Sequence, residues 1–163
     1  MELSNFIICL EEVLAQRNSK GENFFHEAAR SGSFSLITRF VPFIRGIGAA
    51  AGLNTPNYAG QLSIHVAAVT HRRWHAAKLI EILVELGADI NGQESVEGNT
   101  ALHIAVKQLD YALAEWLCSQ PGIHLELRNA KNLSSLELAL TNGNRKMIRV
   151  LKNGYSIKNT DSV

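Results

Sequence analysis

The chain has 163 residues, enough for one domain with a sizeable core. Its 16 Lys and Arg nearly cancel 15 Asp and Glu, which argues against a protein whose main business is nonspecific nucleic-acid binding. No apolar run approaches the roughly 20 residues of a membrane span, and Met1-Glu2-Leu3-Ser4 offers no basic n-region for a signal peptide.

In chain order, Leu3, Phe6, Ile7, Leu10, Val13 and Leu14 share one helical stripe, and Asn18 to Gly21 stop it. The polar face carries Glu11, Glu12 and Gln16 rather than Lys or Arg, so this helix is expected to cap the first repeated unit rather than lie on a membrane. GENFFHEAARSG then reads as a turn opened by Gly21, an N-cap at Asn23 and an inner helix ended by Gly32. Phe34 to Ile44 is the outer helix, bent or stopped near Pro42. RGIGAAAGLNTP is an insertion; Gly46 and Gly48 lack the preceding strand and following Lys-Ser/Thr of a phosphate loop, so it reads as a connection.

A second unit starts at NYAGQLSIHVAAV, where Leu62 is a poor cap and Ser63 is expected to cap one residue late. THRRWH reads as an irregular insertion, with the outer helix from about Ala76 to Leu86. LGADINGQESVEGNTALHIAV closes this unit with a C-cap at Gly87, a hairpin tip over Gln93 to Gly98 and a new cap at Thr100. The third outer helix spans Tyr111 to Ser119, stopped by Pro121-Gly122; the fourth unit pairs NLSSLELAL with a helix from Lys146 to Lys152. His26, His65, His103 and Glu137 stand 39, 38 and 34 residues apart. With insertions in the first two intervals, that fits the ankyrin period of about 33.

GxTALHxA after LGADIN is close to the ankyrin-repeat signature. The expected fold is an all-α ankyrin-repeat solenoid of about four helix-turn-helix repeats with short hairpin loops and an N-terminal capping helix. Its expected divisions are a cap over 1–20, repeats over 21–56, 57–94, 95–128 and 129–155, and a tail over 156–163.

Across roughly 54–140, NYAGQLSIHVA and LVELGADINGQESVEGNTALHIAV resemble repeats of the IκB proteins, including Gln93-Glu94 and the TALHIAV beyond them. The short chain also resembles viral ankyrin proteins of polydnaviruses, carried by parasitoid wasps. The resemblance implies an inhibitor that binds host Rel/NF-κB transcription factors in the host-cell cytoplasm, with the nucleus left open, and suppresses immune signalling. A general ankyrin adaptor for another host protein is the alternative. IκB inhibitors carry paired N-terminal serines that mark them for destruction and an acidic tail; here only Ser4 and Ser19 precede the first repeat, and KNGYSIKNTDSV is basic. Constitutive inhibition is the expectation. No direct nucleic-acid or membrane partner is expected.

Ankyrin folds present hairpin tips and inner helices on a concave face, which selects Asn57, Tyr58, Gln61, Gln93, Glu94, Ser95, Val96, Glu97, Asn129, Ala130 and Lys131 as partner contacts. Between Leu79 and Val106 every charged group is acidic, whereas Arg145, Lys146, Arg149, Lys152 and Lys158 are basic. Glu94 and Glu97 are therefore expected to face a basic segment of the partner, against the alternative of chance clustering on a solvated surface. Trp74, beside Arg72 and Arg73, could stack a base but reads as part of an interaction loop or a partly buried side chain. His65, His71 and His75, joined by Cys118, are the one metal candidate. The repeat accounts for His65 and Arg72-Arg73 oppose a cation, so no metal, cofactor or catalytic group is expected. Cys9 and Cys118 sit among apolar residues and read as reduced core residues.

Overall fold

The computed structural model describes residues 2–44 and 52–160; the connection expected at Gly46 and Gly48 lies outside them. The described residues form nine helices and no strand: α1 (Glu2–Ala15), α2 (Phe24–Ser31), α3 (Phe34–Ile44), α4 (Ser63–Thr70), α5 (Arg73–Glu85), α6 (Ala101–Lys107), α7 (Tyr111–Ser119), α8 (Ser135–Thr141) and α9 (Arg145–Thr160). Inner helices α2, α4, α6 and α8 pack in one row; outer helices α3, α5, α7 and α9 pack in a second. Each inner helix also lies on its own outer helix, so the apolar face of a repeat is buried by its neighbours, as in a solenoid.

The inner row can close because its contact positions are small. Ala28, Ala29, Ala67, Ala68, Ala105 and Ala139 are fully buried. The outer row supplies bulk through Leu79, Leu83, Leu113, Leu117, Met147 and Leu151. Helix α1 packs on α2, but among the described side chains of the expected stripe Leu14 alone is fully buried, with Leu10 packed beside it. Phe6 and Val13 are more than half exposed, and Phe6 meets Phe43 of α3 edge-on at 6.2 Å. Cys118 is buried as expected, whereas Cys9 is exposed on α1.

A ladder of imidazoles joins the repeats. His26, His65 and His103 occupy the third position of α2, α4 and α6. In each ring Nδ1 accepts the N-cap N–H, from Asn23 at 3.3 Å, Leu62 at 3.0 Å and Thr100 at 3.3 Å. Nε2–H then donates across the repeat boundary to the carbonyls of Gln61 (2.9 Å), Gly92 (2.9 Å) and Leu133 (3.0 Å). One nitrogen accepting and one donating defines the neutral ring. Burial holds all three below the ordinary imidazole value despite the carbonyl partners, and pushes His65 down to about 4.

Repeat four replaces this histidine by Glu137, which accepts the Ser134 N–H at 2.8 Å and pairs with Arg128 at 2.8 and 3.0 Å.

Several expectations need correction. Ser63 does not cap α4: Leu62 is the N-cap residue without a side-chain bond, and the buried Ser63 hydroxyl finds no partner. THRRWH is not an insertion between helices, because only His71 and Arg72 separate α4 from α5; Arg73, at φ +54°, absorbs the turn. Helix α3 has the expected span Phe34–Ile44, but Pro42 does not stop it. Helix α9 runs past Lys152 to Thr160. Within it Gly154 allows a close approach to α7, since a Cβ there would stand 2.6 Å from Cys118 Cβ.

Ser63→Ala removes an unpartnered buried hydroxyl and should raise stability by about 1 kcal/mol, measured by urea unfolding. The lowered histidine values mean that the unfolded chain takes up protons first as pH falls. Their contribution is whole above about pH 6.5 and is lost toward pH 4, by on the order of 3 kcal/mol for His65. Thermal unfolding midpoints across that window should fall, and His65→Gln should flatten the slope.

Candidate protein-binding surface

Four hairpin turns precede the inner helices, and each closes on itself by a backbone bond: Asn18 N–H to Glu22 O, Asn57 to Gln61, Glu94 to Asn99 and Asn129 to Leu133. Inside each loop the first side chain gathers backbone N–H groups. Asn57 Oδ1 accepts from Ala59 (3.0 Å) and Gln61 (2.9 Å), and Asn129 Oδ1 from Lys131 (3.0 Å) and Leu133 (3.2 Å); Asn18 does the same for Lys20 and Glu22. The third loop is one residue longer, and its anchor is correspondingly Glu94. Its carboxylate reaches Val96 and Asn99 N–H at 2.8 Å and Glu97 N–H at 2.9 Å. Burial works to raise the Glu94 pKa, but these N–H bonds together outweigh it and hold the carboxyl below its usual value.

Successive tips are fastened to one another. Tyr58 N–H donates to Lys20 O (3.0 Å), Ser95 N–H to Gly60 O (3.0 Å) and Ala130 N–H to Glu97 O (2.8 Å). Tyr58, Ser95, Val96, Ala130 and Lys131 therefore stand exposed along one edge, with Tyr58 and Val96 over two-thirds exposed. Behind this edge a cleft of about 370 Å3 runs onto the inner helices, with Gln61, Val69, Val96, Ile104 and Gln108 in its lining. The Glu97–Lys107 ion pair crosses it.

The expected contacts thus divide. Asn57, Glu94 and Asn129 are loop anchors, and Glu94, only 8 % exposed, turns its charge inward rather than toward a partner. Gln93 is a brace, its Nε2 donating to Gly98 O (2.7 Å) and Arg128 O (2.8 Å). Glu97 is committed to Lys107 and Asn99, whose contacts hold its pKa down. Trp74 lies away from the tips, on the outer row, 70 % exposed and stacked on Phe34 at 6.3 Å. It belongs to a separate apolar groove of about 640 Å3 with Phe34, Ala77, Ile82 and Trp116. Val69, 43 % exposed at the end of α4, went unnoticed in the sequence. The signal for the loop anchors was present as the Asn-x-x-Gly spacing of Asn18 and Asn57 to Gly21 and Gly60, both at positive φ.

The histidine cluster is occupied by backbone. His71 Nε2 lies 3.0 Å from Ala29 O, and His75 Nε2 lies 3.2 Å from Gly32 O. Among the described residues, no group of three or more His, Cys, Asp or Glu could hold a metal ion. No helix of those residues is long and apolar enough to cross a membrane.

Stacked helix pairs, an imidazole ladder and linked hairpin tips define a repeat module built for protein contact. The chain belongs to the ankyrin-repeat family: the model of three ankyrin repeats matches residues 24–129 and 74–161. Similar proteins come from Microplitis demolitor bracovirus (isolate Webb). I-Kappa-B like protein H1 is 36 % identical over 143 residues, covering 88 % of this chain and 73 % of that protein. I-Kappa-B like protein N1 is 43 % identical over 109 residues, 67 % of this chain and 78 % of its own length. I-Kappa-B like protein F1 is 33 % identical over 160 residues, 93 % and 96 % respectively.

Glu94→Ala should leave three backbone N–H groups without an acceptor and cost about 1–3 kcal/mol. The loss should be visible in the unfolding midpoint and in faster amide exchange at Val96, Glu97 and Asn99.

Proposed function

We propose that this protein is an IκB-like inhibitor that binds Rel/NF-κB transcription factors of the host cell and suppresses their immune signalling. The observation that carries the reading is the row of exposed side chains, Tyr58, Val96 and Ala130, held on hairpin tips that backbone bonds lock to one another. A surface whose backbone is already fixed loses little entropy on binding, and exposed aromatic and aliphatic side chains beside a groove can anchor a partner. The likeness to bracovirus proteins named IκB-like supports the choice of a Rel factor as that partner.

The reading includes constitutive action, in which the factor stays held after an immune stimulus. It places the protein in the host-cell cytoplasm, where it would keep the factor from the nucleus or from DNA. The inward turn of Glu94 shifts the weight of recognition from acidic charge to Tyr58, Val96 and the groove behind them.

The test is binding to a purified insect Rel homology domain by calorimetry, paired with a Rel-dependent reporter in insect cells after a bacterial stimulus. The wild-type chain should bind and hold the reporter low while its own abundance stays constant. Tyr58→Ala with Val96→Asp should weaken binding by about tenfold or more, roughly 1.4 kcal/mol, without moving the unfolding midpoint. Trp74→Ala should leave affinity unchanged. Absence of binding, or full reporter activity while the protein persists, would overturn the reading in favour of an adaptor for another host protein.

A further inference from the structure

The edge opposite the hairpin tips, where inner and outer helices join, carries a second cleft, of about 460 Å3. Arg72, Arg73 and Lys146 line it, with Leu109, Asp110 and Tyr111. Two of these cations, Arg72 and Lys146, are held by neutral groups. Arg72 Nη1 donates to the Gln108 side-chain oxygen at 2.6 Å and to its carbonyl at 3.3 Å, and Lys146 Nζ sits 4.4 Å above the Tyr111 ring. Four other cations, Arg30, Lys78, Lys107 and Arg128, instead meet a carboxylate.

One carboxylate lines the cleft, and its position limits its effect. Asp110 is 5 % exposed, with Oδ2 accepting the Arg73 N–H at 2.6 Å and Oδ1 the Leu113 N–H at 3.1 Å. No acidic residue stands in the first turn of α5, α7 or α9 to offset the rest. The cleft therefore carries net positive charge, with Arg72 and Lys146 already held in place, between low-dielectric walls that focus the field. Leu109, 46 % exposed, adds an apolar contact beside the cations.

We propose that this cleft binds a short acidic segment of a partner protein, a carboxylate settling against Arg72 and Lys146 and a neighbouring apolar side chain against Leu109. Two features favour a peptide over nucleic acid or an anionic membrane. The chain's formal net charge is only +1, too small for binding driven by a phosphate backbone or an anionic surface. A phosphate backbone would leave Leu109 unused, whereas a mixed acidic and apolar peptide uses both halves of the site. The cleft lies away from the hairpin tips, although Gln108 is shared with the groove behind them, and neither reading depends on the other.

The experiment titrates the full chain into a fluorescein-labelled peptide, Asp-Leu-Glu-Asp-Leu-Glu, by fluorescence anisotropy at low and high salt. Salt-sensitive binding is expected, weakened by about tenfold or more in Arg72→Gln with Lys146→Gln. The single variant Lys146→Gln, which leaves the Arg72–Gln108 contact intact, should weaken it by several-fold even where the double variant folds poorly. Lys20→Gln, a loss of equal charge elsewhere, should change nothing. Absence of binding, equal binding by a folded Lys146→Gln variant, or tighter binding of oligothymidylate or phosphatidylserine vesicles through the same residues would overturn the proposal.

Discussion

The stack depends on an uncharged imidazole at the start of three inner helices. Each ring accepts from the backbone that begins its own helix and donates to a carbonyl of the next loop, so one side chain fixes helix start and repeat spacing together. Protonation would turn Nδ1 from acceptor to donor and set it against the N-cap N–H, which is why burial and function of these rings go together. With the spacing fixed, buried alanines bring the inner helices close, and tip-to-tip backbone bonds fall into reach. The exposed row of Tyr58, Val96 and Ala130 is a downstream result of that geometry.

The repeat architecture was legible because LGADIN and then GNTALHIAV join a glycine cap, a turn and a threonine cap in fixed order, and because the histidines recur in register. The structure bears out Thr100 as a cap, its hydroxyl accepting the His103 N–H. What escaped the sequence was tertiary. Gly154 is the place where α9 touches Cys118, and the turn at Arg73 needed a left-handed arginine that propensity argues against. Leu62 serves at an N-cap because His65 takes its N–H, a substitution visible only once the ladder is known.

The acidic tip shows the same limit more sharply. Counting residues over 79–106 suggests a negative surface, yet the carboxylates are largely spent within the protein. Glu94 holds its own loop, Glu97 meets Lys107 and Glu81 meets Lys78. Charge available to a partner is therefore set by which groups lack an internal counterpart rather than by composition. By that measure the cations between α5 and α9 carry more electrostatic weight than the acidic tip. The two edges of the solenoid accordingly differ in character, one apolar and backbone-locked, the other cationic.

The exchange of histidine for glutamate in the fourth repeat bears on how such an array could grow. An imidazole offers its neighbour a proton, so a further unit can dock by presenting a carbonyl. Glu137 offers only lone pairs and already holds Arg128, so the same approach would bring two acceptors face to face. A unit docking on the fourth repeat would therefore have to present a donor where the earlier boundaries present a carbonyl.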